Sequence, residues 1–349
     1  MTPAPTMRLA VLLVCALILA AAAVVGAPWP SPVSAQSAGA PIPVTFQLNF
    51  TAGGYNAGFA LALQEGIYKR AGLDVTIVKG QGSGTTAQLV ASGKADIAYA
   101  DALPVMQLIA KGAPMKVVST IYQSNPNAVT VLATSGIKSI AELKGHSVAV
   151  PTGQSQTAMI PILFKANGLA ESDVKLVNMP GNAMIASLLQ KQVDAMLGSL
   201  DNYDLIFRQR GVEILSLSFA DHGVATVSTS IIASDAALAQ RGDIVKKFVQ
   251  ASLEGWDAAI KRPDDAIKAL VATFPADTEP PRNLGELKAA IALMCKNGAK
   301  FVGKAEAEAW TRTVSMAQQV LGLPTTVPAS NYYTHEFLPA ALPTKCPLG

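Results

Sequence analysis

Asp101 and Asp201 occupy matched places in the two halves of a 349-residue chain, each after a short apolar run. A carboxylate there can accept from an amino or amidine group. It can equally cap the helix that follows, because Leu103 and Tyr203 each open a helical stretch. A second set of residues is gathered in one loop. Phe50 and Tyr55 offer flat faces for stacking, while Asn49, Thr51 and Asn56 offer hydrogen bonds. Gly53 and Gly54 let the backbone approach a bound group closely. The alternative is a loop whose aromatics pack inward. Two helix starts form the third set. Ser83 and Thr85 lie in Gln81-Gly-Ser-Gly-Thr-Thr86, and Thr152, Gln154 and Ser155 lie in Pro151-Thr-Gly-Gln-Ser-Gln156. Backbone N–H groups and hydroxyls at such places suit an oxyanion, or serve as ordinary caps. Asn182 and Asn202, in turns of the second half, complete the candidates.

These residue types bind rather than react. An enzyme site needs a nucleophile beside its base, or a metal. The three histidines, His146, His222 and His335, lie far apart in the chain. Asp221-His222 reads as a solvated turn at the end of a strand. No Cys/His spacing fits zinc, so neither a metal nor a cofactor is expected. Gly82-Ser83-Gly84 lacks the Gly-Lys-Ser/Thr ending of a P-loop. Charged residues make up 15% of the chain, with a net charge of +3. No basic block or aromatic–basic interleaving points to nucleic acid. Among the expected strand-end loops only Lys79 is basic, which favours a neutral or zwitterionic solute over a strong anion.

The elements that must position these residues alternate regularly. Residues 44–50, 74–79, 97–99 and 115–121 read as strands, with helices over 56–71, 85–94 and 103–111. The pattern restarts with strands at 147–150, 174–179, 195–197, 213–217 and 229–233. Its helices fall at 140–143, 156–167, 183–191 and 203–210. After Ser234 the chain is helical over 243–261, 264–274, 284–296 and 305–321. Such alternation predicts an α/β fold with mainly parallel sheets. The halves also echo one another. Gly82 precedes Leu89-Val90 and Asp96 as Gly181 precedes Leu188-Leu189 and Asp194, with seven residues from Gly to Leu each time. Two lobes built alike are therefore expected. Lobe one spans 36–130 and returns over 229–349 with the C-terminal helices, and lobe two spans 131–228. The connections fall near 127–134 and 226–234. Parallel sheets bind at the carboxyl ends of their strands, so facing lobes place a ligand in the cleft between them.

Residues 1–35 read as a cleaved signal peptide. Arg8, an apolar run over 9–27 and Val33-Ser34-Ala35 predict a cut after Ala35. An uncleaved anchor is the competing reading, since the run approaches spanning length. Cleavage leaves 349 − 35 = 314 residues, suggesting two ordinary domains. Two cysteines remain, Cys295 and Cys346. An oxidising compartment permits a bridge that ties the tail to a helix. One buried thiol and one tail thiol is the alternative.

The runs Leu48-Asn-Phe-Thr-Ala-Gly-Gly-Tyr-Asn-Ala-Gly58 and Ala62-Leu-Gln-Glu-Gly-Ile-Tyr-Lys-Arg-Ala-Gly-Leu-Asp-Val75 resemble the start of the NMT1/THI5-like solute-binding proteins. Ser92-Gly-Lys-Ala-Asp96, residues 135–145, Val193-Asp194 and residues 223–234 resemble further landmarks, so the likeness runs from about residue 44 to 261. It implies a type II periplasmic binding-protein fold in the periplasm, handing a small-molecule ligand to an ABC permease in the inner membrane. A monomer that performs no chemistry is expected. Near relatives serve importers of nitrate, sulfonates, taurine and thiamine-pyrimidine precursors. Pyrimidine-binding members carry a Trp-x-x-Asn-x-x-His-like pattern after the first strand. Here Phe50 stands near the Trp position and Asn56 near the His. The cysteine-rich iron-binding run of the fungal pyrimidine synthases has no counterpart. The resemblance implies capture of a small polar or aromatic organic solute, such as a pyrimidine precursor, taurine or a sulfonate. A periplasmic ligand sensor is the alternative, and an enzyme on the same fold a more distant one.

Overall fold

Among the described residues, short apolar runs bounded by glycine and polar turns form ten strands, divided between two sheets. The structure is a computed structural model in which residues 40–346 are described. The expected signal peptide and its cut after Ala35 lie outside them. The strands β1 (Ile42–Gln47), β2 (Leu73–Val78), β3 (Ile97–Asp101) and β4 (Met115–Thr120) build the first sheet. The second contains β5 (Asn127–Leu132), β6 (Ser147–Pro151), β7 (Lys175–Met179), β8 (Ala195–Ser199) and β9 (Ile214–Ser218). Then β10 (Thr229–Ser234) returns to the first. All five residues of β3 are buried, as an inner strand covered on both faces requires, whereas β2 alternates buried and exposed positions at an edge.

The two sheets share one plan. Their orders are β2-β1-β3-β10-β4 and β7-β6-β8-β5-β9. β1 pairs in parallel with β2 and β3, and β10 lies antiparallel between β3 and β4. β5 takes the same reversed place between β8 and β9. Each sheet thus receives its antiparallel strand from the chain as it crosses between lobes. The crossings run through residues 121–126 and 219–228, just upstream of the segments expected to connect the halves. Those segments form β5 and β10, whose apolar residues are buried in the sheets apart from half-buried Leu132. The two crossings are tied together: Ser228 N–H donates to Tyr122 O at 3.0 Å, and Asn125 Nδ2 to Thr226 Oγ1 at 3.2 Å.

Helices cover the sheets: α1 (Ala57–Gln64), α2 (Ile67–Arg70), α3 (Ser83–Ala91), α4 (Ala102–Ala110), α5 (Ser155–Ala166), α6 (Gly181–Leu189) and α7 (Tyr203–Gln209). After β10 follow α8 (Asp235–Gln240), α9 (Gly242–Lys261), α10 (Pro263–Thr273), α11 (Pro280–Met294) and α12 (Ala307–Leu321). The single helix expected over 56–71 is broken. Gly66 stands at φ +69, in the left-handed region, and ends α1 before α2 begins. Ile244, Val245, Phe248, Val249 and Trp256 of α9 form one buried stripe at helical spacing, packed over the first sheet with α1. α12 does not belong to lobe one alone. It packs on α4 and on α5 of the second lobe, and its Thr313 Oγ1 accepts from Val227 N–H in the second crossing at 3.0 Å. Among the described residues no helix is long and apolar enough to cross a membrane.

Cys295 caps α11 and is bonded to Cys346, their Cα atoms 5.4 Å apart. The bridge left open by the sequence is formed, and it fixes the tail. Cys346 N–H donates to Lys300 O at 2.9 Å, and Thr344 Oγ1 to Asp257 Oδ1 of α9 at 2.8 Å.

Candidate functional site

The carboxyl ends of both sheets face a cleft of about 580 Å³, counted to its open mouth. Lobe one supplies Asn49, Phe50, Tyr55, Ser83, Tyr99, Asp101 and Thr229; lobe two supplies Asn127, Gln154, Ser155, Gln156, Ser199, Asp201, Asn202 and Tyr203. Tyr122 and Pro126 of the first crossing close the back. Local packing sets each of these. Tyr99 leaves β3 with its ring against Phe59, centroids 4.9 Å apart, and Phe59 in turn packs edge-on against Phe46 at 4.9 Å. The Tyr55 hydroxyl donates to Thr51 O at 3.1 Å, closing the loop on itself.

Nine of the fourteen candidate residues line the wall: Asn49, Phe50, Tyr55, Ser83, Asp101, Gln154, Ser155, Asp201 and Asn202. Five do not. Thr51 is exposed and only supports Tyr55. Asn56 is buried behind the loop, in the short turn that precedes α1. Thr85 and Asn182 point outward because α3 and α6 begin two residues earlier than expected, at Ser83 and Gly181, which moves both from a loop into a first turn. Thr152 lies in an exposed turn. Tyr99, Tyr122, Asn127, Gln156, Ser199, Tyr203 and Thr229 were not singled out from the sequence. Strand extension is the missed signal for Ser199, since β8 runs two residues beyond the expected 195–197.

Asp101 caps the helix that follows it, whereas Asp201 does not, because Asn202 holds the N-cap position of α7. Asp101 is 2% exposed; its Oδ1 accepts from Leu103 N–H at 3.0 Å as a helix cap, and its Oδ2 from Ser228 Oγ at 2.6 Å. Asp201 is 6% exposed and accepts from the Tyr122 hydroxyl at 3.1 Å. Burial pushes both carboxyls up to about 6, against hydrogen bonds that pull the other way. Burial likewise holds the phenols of Tyr55, Tyr99 and Tyr122 well above their ordinary value, so they stay protonated. Among the described residues that line the cleft none is Lys or Arg. Asn49 Oδ1, Tyr99 Oη and Gln156 Oε1 are buried without a hydrogen-bond partner among the described residues. Orphaned polar atoms on a cavity wall are what a bound polar molecule satisfies.

At the start of α3 backbone N–H groups are already engaged. Gly84 N–H of α3 donates across the cleft mouth to Gly153 O at 3.0 Å. Thr86 N–H bonds Gly82 O within its own turn, and the Ser83 hydroxyl accepts from Asp101 N–H at 3.0 Å. The lobes touch backbone to backbone here. A Cβ on Gly82, at φ +141, would meet Gly153 O at 2.4 Å.

Residues 54–266 match the family described as NMT1/THI5 like, more than half of the chain. The chain belongs to the NMT1/THI5-like family. Among this family's relatives, the riboflavin-binding protein RibY of Chloroflexus aurantiacus is 26% identical over 354 residues, covering 95% of this chain and 99% of its own. The formylaminopyrimidine-binding protein of Halalkalibacterium halodurans is 26% identical over 262 residues, covering 73% and 78%. The periplasmic aliphatic sulphonate binding protein SsuA of Escherichia coli superposes with a TM-score of 0.66 at 17% identity, covering 84% of this chain and 97% of that one. The last likeness shows the fold: this NMT1/THI5-like chain has the two-lobed α/β architecture of periplasmic binding proteins.

Phe50 is the wall's most separable aromatic, since it is only half-buried. Phe50→Ala is expected to weaken solute binding about tenfold, the worth of a good aromatic stack, while leaving the melting temperature of the free protein nearly unchanged. Calorimetry showing unaltered affinity would remove Phe50 from the site.

Proposed function

We propose that the chain captures a flat, uncharged or weakly basic heterocycle outside the cytoplasm and delivers it to an ABC permease. The observation that carries this reading is the chemistry of the cleft wall. Five aromatic rings, Phe50, Tyr55, Tyr99, Tyr122 and Tyr203, surround two buried carboxylates with no basic side chain among them. Rings stack on a planar solute, and Asp101 and Asp201 accept from its amino or imide N–H groups. A nitrate or sulfonate would meet carboxylates where it needs donors. The names of the two relatives, one for riboflavin and one for a formylaminopyrimidine, support a heterocycle. The role involves binding and hinge closure without turnover, by a single chain exported through the signal peptide and cut after Ala35.

The test uses the exported protein, whose mass should place its N-terminus at Gln36. Riboflavin, aminopyrimidines, taurine, alkanesulfonates and nitrate are compared by thermal shift, because a ligand of the folded state raises its melting temperature. Stabilisation by a heterocycle and none by the sulfonates is the expected result. Stabilisation by taurine or an alkanesulfonate alone would sink the proposal, and turnover of a bound heterocycle would replace capture with catalysis.

A further inference from the structure

Glu286 lies on α11 with a side chain only 1% exposed. A carboxylate so placed must be satisfied by several donors, or it is costly. Its Oε2 accepts from Gly54 N–H at 2.7 Å and from Asn283 Nδ2 at 2.8 Å. Its Oε1 accepts from Asn202 Nδ2 at 3.2 Å and lies 3.3 Å from Arg282 Nε. Gly54 belongs to the lobe-one loop that carries Phe50 and Tyr55, whereas Asn202 belongs to lobe two, next to Asp201. One carboxylate therefore holds residues on both walls of the cleft.

The seating around it is close. The loop rests on the backbone of α11, where a Cβ on Gly54 would fall 1.9 Å from Asn283 O. Beside Glu286, Gln209 Nε2 of α7 donates to Glu279 Oε2 at 2.7 Å, and Leu205 of α7 packs over Gly285. The exposed Gln209–Glu279 contact contributes little by itself. A buried charge-assisted bond contributes more, because its rupture leaves a carboxylate short of a donor. On the opposite side of the mouth the Gly84–Gly153 backbone bond makes a second contact.

We infer that Glu286 is a positioning residue of the cleft, a latch that joins the aromatic loop of lobe one to Asn202 of lobe two and sustains closure without a ligand. The solute then enters a cleft whose walls are already set, and its binding free energy is not spent on ordering them. This inference rests on the cleft being the capture site, but its test needs no solute.

The full exported protein is spin-labelled at Gln88 and Gln190, both exposed and on different lobes, and interlobe distances are measured by pulsed electron resonance. In the free wild type the short, closed distance should dominate. Asn202→Ala and Glu286→Gln should each lower the closed-to-open ratio roughly tenfold, with melting temperatures little changed. The double variant should open no further than the more affected single one, because both act on the same Glu286–Asn202 contact. Identical distance distributions in the wild type and Asn202→Ala would overturn the latch. Should Glu286→Gln fail to fold, Asn202→Ala decides alone, since it removes only the lobe-two donor. A solute screen that finds no ligand would count against the proposed function and leave these distances to be read as they stand.

Discussion

Affinity for a heterocycle that donates to both aspartates is expected to fall about a hundredfold between pH 7.5 and pH 5. Both carboxyls sit at about 6 in the folded protein, raised from 3.8 chiefly by burial. Each is then about nine-tenths protonated at pH 5, and the two losses multiply if both acceptors are needed. Stability of the free protein has the opposite sign. Burial favours the protonated carboxyls, so their contribution is full below about pH 4 and is lost as the pH rises to about 6. Thus the free protein loses melting temperature over that window, while the shift produced by ligand grows. The other acid facing Asp201 is Glu286, whose carboxyl burial also raises. The phenols of Tyr99 and Tyr122 keep their protons throughout. Calorimetry at pH 5, 6 and 7.5 checks the trend, with Asp101→Asn and Asp201→Asn each expected to flatten it. A pH-independent constant would mean that neither carboxylate accepts from the solute.

Removing the Cys295–Cys346 bridge should cost about 4 kcal/mol, the loop-closure estimate for a separation of 51 residues. For a chain of this length that corresponds to roughly 6 °C in melting temperature. The double variant Cys295→Ser/Cys346→Ser tests this against the wild type, with and without reductant. Reductant should bring the wild type down to the variant and leave the variant unmoved. The residues released first are those the tail clasps, Lys300 and Val302, whose backbone bonds to Cys346 and Thr344 depend on the tail staying in place. A melting temperature unchanged within 2 °C, well inside the expected shift, would show that packing alone fixes the tail.

The alternation of strand and helix was readable because each inner strand is an uninterrupted apolar run and each helix carries a stripe at 3.6-residue spacing. Asp101 was readable for the same reason, since it ends the inner strand β3, but its register counterpart in the second sheet is Ser199, and Asp201 lies two residues beyond β8. Tyr99 was not readable, because a tyrosine inside an apolar strand looks like core, and its ring does pack there against Phe59. Tyr122 escaped notice because the first crossing carries no periodic signal and its partner Asp201 lies 79 residues away; Asn127 escaped because it opens β5, where its pairing with Ser199 has no local mark. Thr85 and Asn182 were misplaced by a two-residue error in where a helix begins, enough to turn a side chain from the cavity to solvent. Glu286 had no local mark at all. Its partners Gly54 and Asn202 lie 232 and 84 residues away in sequence.

The paired crossings have a mechanical consequence. Tyr122 and Ser228 are bonded side by side, and Val227 is held from behind by Thr313 of α12. Two strips joined along their length bend easily about one line and resist twisting or sliding about any other. Opening is thereby reduced to a single angle. Width at the mouth and clearance at the back then change together, so a bulky solute cannot gain room at one end without loosening its grip at the other. The joint thus couples the two ends of the cleft, with Tyr122 forming part of both the joint and the wall.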